Sequence, residues 1–271
     1  MVLFVKTMLN KFFITDPDKD EAKAKDNHLR KLIPNIITLG SMVCGLTAIQ
    51  MAIGEEWRSA VLLILAATIL DTMDGAIARL LNATSKFGAE LDSLADFLSF
   101  GVAPATIMYL WILNDAGQVG WIAAMVFVIA SSLRLARFNA ASEDQEKKPE
   151  WAKYFFSGVP APAGSGLALL PIIAYLQIDM DLSEYNVASP LIGLWTLIVA
   201  GLMVSRIPTF SSKQIRLPAL GLIPTLAIVG LFLAMLIHAP WITLTVSAMI
   251  YAAMIPVSYS VYKSREKRAE K

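Results

Sequence analysis

Residues 70–105 read LDTMDGAIARLLNATSKFGAELDSLADFLSFGVAPA, two apolar stretches whose facing ends carry Asp71, Asp74, Asp92 and Asp96. On a helix advancing about 100° per residue, Asp71 and Asp74 lie about 60° apart and Asp92 and Asp96 about 40° apart, so each pair projects from one face. A carboxylate near hydrocarbon costs about 2.5–3.5 kcal/mol even on lenient insertion scales. Two like charges about 4 Å apart repel by about 4 kcal/mol at an effective dielectric of about 20. Four acids together therefore need a counter-charge that Arg79 alone does not supply. Two divalent cations balance four carboxylates, and oxygen-only ligands favour Mg²⁺ or Mn²⁺, with Ca²⁺ a further option, over zinc. With substrate oxygens completing the shell, the arrangement suits a two-metal site acting on a phosphate. Gly75 and Ala78 follow Asp71 on the acidic face, and Gly88 precedes Asp92 by one turn. These small residues either admit a ligand to the backbone or let helices pack closely.

The surrounding chain decides what kind of protein holds these acids. Hydrophobic residues make up 56% of the 271 residues and charged ones 17%, against about 25% charged in soluble domains. A soluble enzyme with one packed core is excluded, and an all-α polytopic transmembrane bundle is expected. Apolar windows place spans at about 33–53, 58–80, 89–113, 118–138, 157–178, 187–206, 217–238 and 241–262, eight in all. Of the 23 Lys and Arg residues, only Arg58 falls on one side of this map. The positive-inside rule then puts both termini and the acidic ends of the second and third spans in the cytoplasm. The net charge of +1 gives no sign of a nucleic-acid partner. The single cysteine, Cys44, forms no internal disulfide, and His28 and His238 are too few for a histidine-rich zinc site.

Four segments follow from the same reading: 1–31, a cytoplasmic or interfacial amphipathic segment; 32–216, a catalytic core; 217–262, an additional transmembrane pair; and 263–271, a basic tail. In the first, Val2, Leu3, Phe4, Val5, Met8, Leu9, Phe12 and Phe13 alternate with Lys6, Thr7, Asn10 and Lys11. That pattern gives one apolar and one polar face, as in a helix lying in the membrane interface. The polar connection 141–153 reads as a surface loop or short helix.

The acids and their spacers match D-x2-D-G-x2-A-R-x8-G-x3-D-x3-D at Asp71, Asp74, Gly75, Ala78, Arg79, Gly88, Asp92 and Asp96, and so resemble the CDP-alcohol phosphotransferase family. SFGVAPA at 99–105, RLARFN at 134–139, SGVPAPAG at 157–164 and VSRIPTFSSK at 204–213 are similar to its phosphatidylserine-synthase branch. Pro34, Asn35 and Thr38 resemble the segment opening the family's first span. The resemblance implies transfer of a phosphatidyl group from CDP-diacylglycerol to the hydroxyl of L-serine, with release of CMP. It also implies a six-helix core, commonly a homodimer, preceded by an interfacial helix. By the same analogy the metal ligands are Asp71, Asp74, Asp92 and Asp96, with Asp96 also the general base. The resemblance likewise implies that Asn35, Thr38, Gly75, Ala78, Arg79 and Gly88 bind CDP-diacylglycerol.

Serine carries a carboxylate, which calls for a cation such as an arginine fork. Arg134 and Arg137 are candidates, with Asn139 and Lys153 behind them, and topology or helix-end charge complementation is the competing reading of the two arginines. Rival functions are another acceptor alcohol (glycerol phosphate, inositol phosphate or choline), a prenyltransferase, or a transporter. The interleaved Gly, Ala and Arg fit a prenyltransferase badly. A transporter site tends to lie at the midplane between repeated halves, which this sequence does not have.

Overall fold

A computed structural model describes residues 17–143, 155–178, 187–210 and 222–269. The expected amphipathic helix on residues 2–13, most of the 141–153 connection, and Lys153 lie outside them. Helix α1 (Pro17–Ile53) and helix α2 (Trp57–Leu80) form the first pair, joined by a tight turn in which Glu55 takes φ 60°. Their contact is the most extensive between any two helices described. Its seam explains why: Ala48, Ala52, Ala60 and Ala67 are all but fully buried, and the Ser41 hydroxyl donates to the Ala67 carbonyl at 3.0 Å. Small residues let the two backbones approach where lipid offers no hydrophobic drive for association.

A second turn, with Asn82 at φ 51°, leads into α3 (Lys86–Asp96), which Ser85 caps by accepting from the Gly88 N–H at 3.0 Å. The expected third span is continuous from Lys86 to Trp111 but not uniform. Immediately after Asp96 a π-helical turn, Phe97–Val102, precedes α4 (Ala103–Trp111). Pro104 has no N–H to offer the Phe100 carbonyl, and the Ala103 N–H reaches back to Leu98, five residues earlier. Tertiary contacts hold the widened turn. Ser99 donates to the Ser41 carbonyl at 3.1 Å, and a Cβ on Gly101 would lie 2.8 Å from the Ser131 hydroxyl oxygen.

A single 3₁₀ turn (Leu113–Ala116) leads to α5 (Gln118–Glu143). The expected fifth span is broken into α6 (Ala161–Ala168) and α7 (Leu170–Ile178), bent by 42°. Helices α8 (Ala188–Val204), α9 (Leu222–His238) and α10 (Pro240–Ala269) complete the bundle. Helix α10 runs through most of the segment expected to be a basic tail. The all-α expectation holds apart from one small ribbon. Strand β1 (Phe155–Ser157) pairs antiparallel with β2 (Pro208–Phe210), in the register Phe155↔Phe210, Phe156↔Thr209 and Ser157↔Pro208.

Phe100, Ile107 and Met108 of the third span and Phe127 of α5 form the buried centre, whereas Ile36, Val43, Leu46, Leu231 and Phe232 face outward. Apolar exteriors of this kind are what a bilayer solvates. Among the described residues five helices are long and apolar enough to cross it, or six with the bent pair counted as one span. Two shorter apolar helices, Ala188–Val204 and Pro224–His238, fall below the roughly 20 residues a crossing takes. The expectation of eight spans therefore reaches beyond what helix length and composition support, while an integral membrane protein stands.

Candidate active site

The facing ends of α2 and α3 do meet. One carboxylate oxygen from each of Asp71, Asp74 and Asp92 lies within 4.8 Å of the others, which is close enough to share an ion. Asp74 is only 5% exposed, a severe position for an anion, and Thr38 of α1 answers part of the cost. The Thr38 hydroxyl stands 2.6 Å from Asp74 Oδ2 and 3.1 Å from the Pro34 carbonyl. Its single proton serves the shorter, charge-assisted contact. The expected role of Thr38 toward the nucleotide thus begins as a role toward an acid. It fixes which way the Asp74 carboxylate faces.

Asp96 stands one turn beyond Asp92, against Asp71 and Asp92 and within electrostatic range of Arg134 from α5. It is a neighbour of the three-acid group rather than a member of it. Arg134 is thus a counter-charge that the span-by-span reading did not count, because it comes from a helix far along the chain.

Asp74 and Asp92 line a cleft of about 180 Å³, smaller than the roughly 300–1,000 Å³ that encloses a whole drug-sized ligand. Among the expected nucleotide residues, Asn35, Thr38, Gly75, Ala78 and Gly88 line it, and Arg79 does not; Arg79 is exposed in the last turn of α2. Pro34, Ala83, Thr84, Ser85 and Ala89 line it as well, unforeseen from the motif. Ser85 was legible in principle, since a serine directly before a helix is a capping signal.

The two glycines differ in kind. A Cβ on Gly75 would meet nothing within 4 Å, so no protein atom demands glycine there, whereas a Cβ on Gly88 would lie 3.0 Å from Asn35 Oδ1 and 3.1 Å from Ser85 Oγ. Gly88 sits tightly between the Asn35 side chain of α1 and the Ser85 cap, and Gly75 keeps space open in the cleft.

The residues expected at the serine pocket separate. Arg137 Nη1 donates to the carbonyls of Val204 at 2.7 Å and Ser205 at 3.3 Å, closing the C-terminal end of α8. Asn139 Nδ2 donates to Ser93 Oγ at 2.9 Å, tying α5 to α3. Arg134 alone of the two arginines turns toward the acids, with its guanidinium also 5.9 Å from the Phe138 ring centre.

The donor set fits a hard divalent cation. It is all oxygen, three carboxylates converge, and one of them is buried and held by the Thr38 hydroxyl. Comparison with known proteins agrees with the geometry. The family model described as CDP-alcohol phosphatidyltransferase matches residues 31–202, and one described as CDP-alcohol phosphatidyltransferase 2 matches 222–256. A CDP-diacylglycerol–serine O-phosphatidyltransferase of Mycobacterium leprae is 34% identical over 87% of this chain and 76% of its own. Relatives of the same name from Helicobacter pylori and Bacillus subtilis are 36% identical over 68% and 42% identical over 51% of this chain, each over 74% of its own length.

Proposed function

The chain belongs to the CDP-alcohol phosphatidyltransferase family, and we propose that it transfers the phosphatidyl group of CDP-diacylglycerol to the hydroxyl of L-serine, giving phosphatidylserine and CMP. The observation that carries this reading is the convergence of Asp71, Asp74 and Asp92, with Asp74 and Asp92 lining a cleft kept open by Gly75. Asp71, Asp74, Asp92 and Asp96 would hold a divalent cation, and two such ions fit the charge. When bound, Mg²⁺ or Mn²⁺ would polarise the diphosphate and offset the charge on departing CMP.

The remaining work falls to the chain itself. Lipid tails stay in the bilayer while cytidine and diphosphate need water, so a site at the ends of the spans lets both conditions hold. Gly75 and Ala78 admit the nucleotide along α2, and Ser85, Gly88 and Ala89 at the start of α3 line the same cleft. Arg134 binds the carboxylate of serine, which turns the serine hydroxyl toward Asp96. An Asp96 carboxylate oxygen takes the hydroxyl proton as the oxygen bonds to phosphorus. Residues 32–216 make up the catalytic core, the site faces the cytoplasm, and the working unit is a homodimer.

The test supplies membranes or purified protein with CDP-diacylglycerol, a divalent cation and each acceptor alcohol in turn, following CMP release and the lipid product. Serine-dependent release with phosphatidylserine as product is expected. Turnover with glycerol phosphate, inositol phosphate or choline, and none with serine, overturns the acceptor.

A further inference from the structure

Helix α5 runs back along the third span and meets it at two places that fall in register. Asn139 Nδ2 donates to Ser93 Oγ at 2.9 Å near one end, and a Cβ on Gly101 would lie 2.8 Å from Ser131 Oγ near the other. Residues 93 and 101 are eight positions apart, and so are 139 and 131, counted in the opposite direction. Between the two contacts stand Asp96, the last residue of α3, and most of the π-helical turn. In an unbroken α-helix Gly101 would sit about 80° around the axis from Ser93. The π-helical turn takes more residues per turn, which draws that offset in and lets Ser93 and Gly101 face the same neighbour.

The Asn139 contact lands among the acids. Ser93 follows Asp92 directly and precedes Asp96 by three positions. Its hydroxyl donates to the Ala89 carbonyl at 3.0 Å, so its proton is used and its oxygen accepts from the Asn139 amide. Ala89 and Asp92 both line the cleft. The run from Asn139 through Ser93 to Ala89 therefore grips α3 on the turn that supplies a cleft wall and an acid. Asp92 brings an oxygen within 4.8 Å of oxygens from Asp71 and Asp74 on α2, an approach that depends on how α3 is rotated. A group at the roughly 5–6 Å outer radius of a helix moves about 2 Å when the helix turns by about 20°. Mg²⁺ holds its oxygens at about 2.0–2.1 Å and tolerates no such shift. Ser99 secures the π-helical turn against α1 through its 3.1 Å bond to the Ser41 carbonyl, and Asn139 supplies a hold from α5 beside the acids themselves.

We propose that Asn139 is a positioning residue: by donating to Ser93 it sets the rotation of α3, and with it the aim of Asp92 and Asp96. The inference rests on metal binding and base action by these acids as proposed above. It assigns Asn139 to the helix that carries the acids instead of to the serine it was expected to bind.

The test takes N139A, S93A and the double variant in the full chain, through two readouts. The first is Mn²⁺ binding to purified protein, followed by the electron paramagnetic resonance signal of free Mn²⁺. The second is CMP release with L-serine varied at saturating CDP-diacylglycerol. Each single change should weaken Mn²⁺ binding and lower kcat by about three- to tenfold, the range that one neutral hydrogen bond commands. KM for L-serine should stay within about twofold, and the double variant should be no worse than either single one. A raised serine KM in N139A, with S93A like wild type, would mean that Asn139 touches serine itself and overturn the inference. Additive losses, or a lowered Tm with Mn²⁺ binding and kcat unchanged, would overturn it as well. Wild-type protein without serine-dependent release would overturn the proposed acceptor, and the Mn²⁺ titration would still decide whether Asn139 positions Asp92.

Discussion

Thr38→Val is the sharpest perturbation of the site that leaves every acid in place. Valine has nearly the shape of threonine, and residue 38 is 4% exposed, so the change removes a hydroxyl without opening a void. The lost contact is the 2.6 Å bond to Asp74 Oδ2, at the short end for a hydroxyl facing a carboxylate. Such bonds are worth about 1.5–3 kcal/mol. Most of that should appear in ion binding, because the bond sets the direction of a carboxylate that the ion would share with Asp71 and Asp92. Loss of a group that orients a metal ligand generally weakens metal affinity about 10–100-fold. The expected result is a rise of that size in the Mg²⁺ or Mn²⁺ concentration giving half-maximal CMP release, with kcat largely recovered at high metal. Thr38→Ser, which keeps the hydroxyl, should stay close to wild type. An unchanged metal requirement in a folded Thr38→Val protein would refute the idea that Asp74 works through its orientation by Thr38.

The two cleft glycines should part company. Gly75→Ala should raise Tm or leave it unchanged, because alanine favours the helix, while raising KM for CDP-diacylglycerol several-fold, since its Cβ meets only ligand space; Gly88→Ala should lower Tm through overpacking against Asn35 and Ser85. Arg137→Met should lower Tm by removing the cap on α8 but leave KM for serine unchanged, whereas Arg134→Lys should raise that KM; thermal melts beside serine titrations separate the two. Chelation should stop CMP release, and added Mg²⁺ or Mn²⁺ should restore it; release that persists in chelator would reject the metal requirement.

The sequence carried the acids because helical spacing is local arithmetic. Asp71 with Asp74, and Asp92 with Asp96, had to share faces, and only the meeting of the two helices needed the fold. What escaped was tertiary. The π-helical turn after Asp96 follows from Pro104 together with Ser99 and Gly101 packing against α1 and α5, and no period in the sequence encodes those partners. The ribbon joins two three-residue strands more than fifty positions apart, too short to show alternation. Arg134 and Arg137 look alike on one helix, three residues apart. Only the position of the α8 carbonyls gives Arg137 a cap to make and leaves Arg134 to the acids. Among the described residues helix length supports five or six crossings rather than eight, because hydropathy records apolar character and not helix length.

The most direct measurement is an anomalous-scattering map of the protein crystallised with Mn²⁺ and CDP-diacylglycerol. Two peaks about 3.5–4 Å apart, held by Asp71, Asp74, Asp92 and Asp96 against the diphosphate, are expected. A map in which these carboxylates are bonded only to protein groups, with the diphosphate bound and no manganese beside it, would contradict the account.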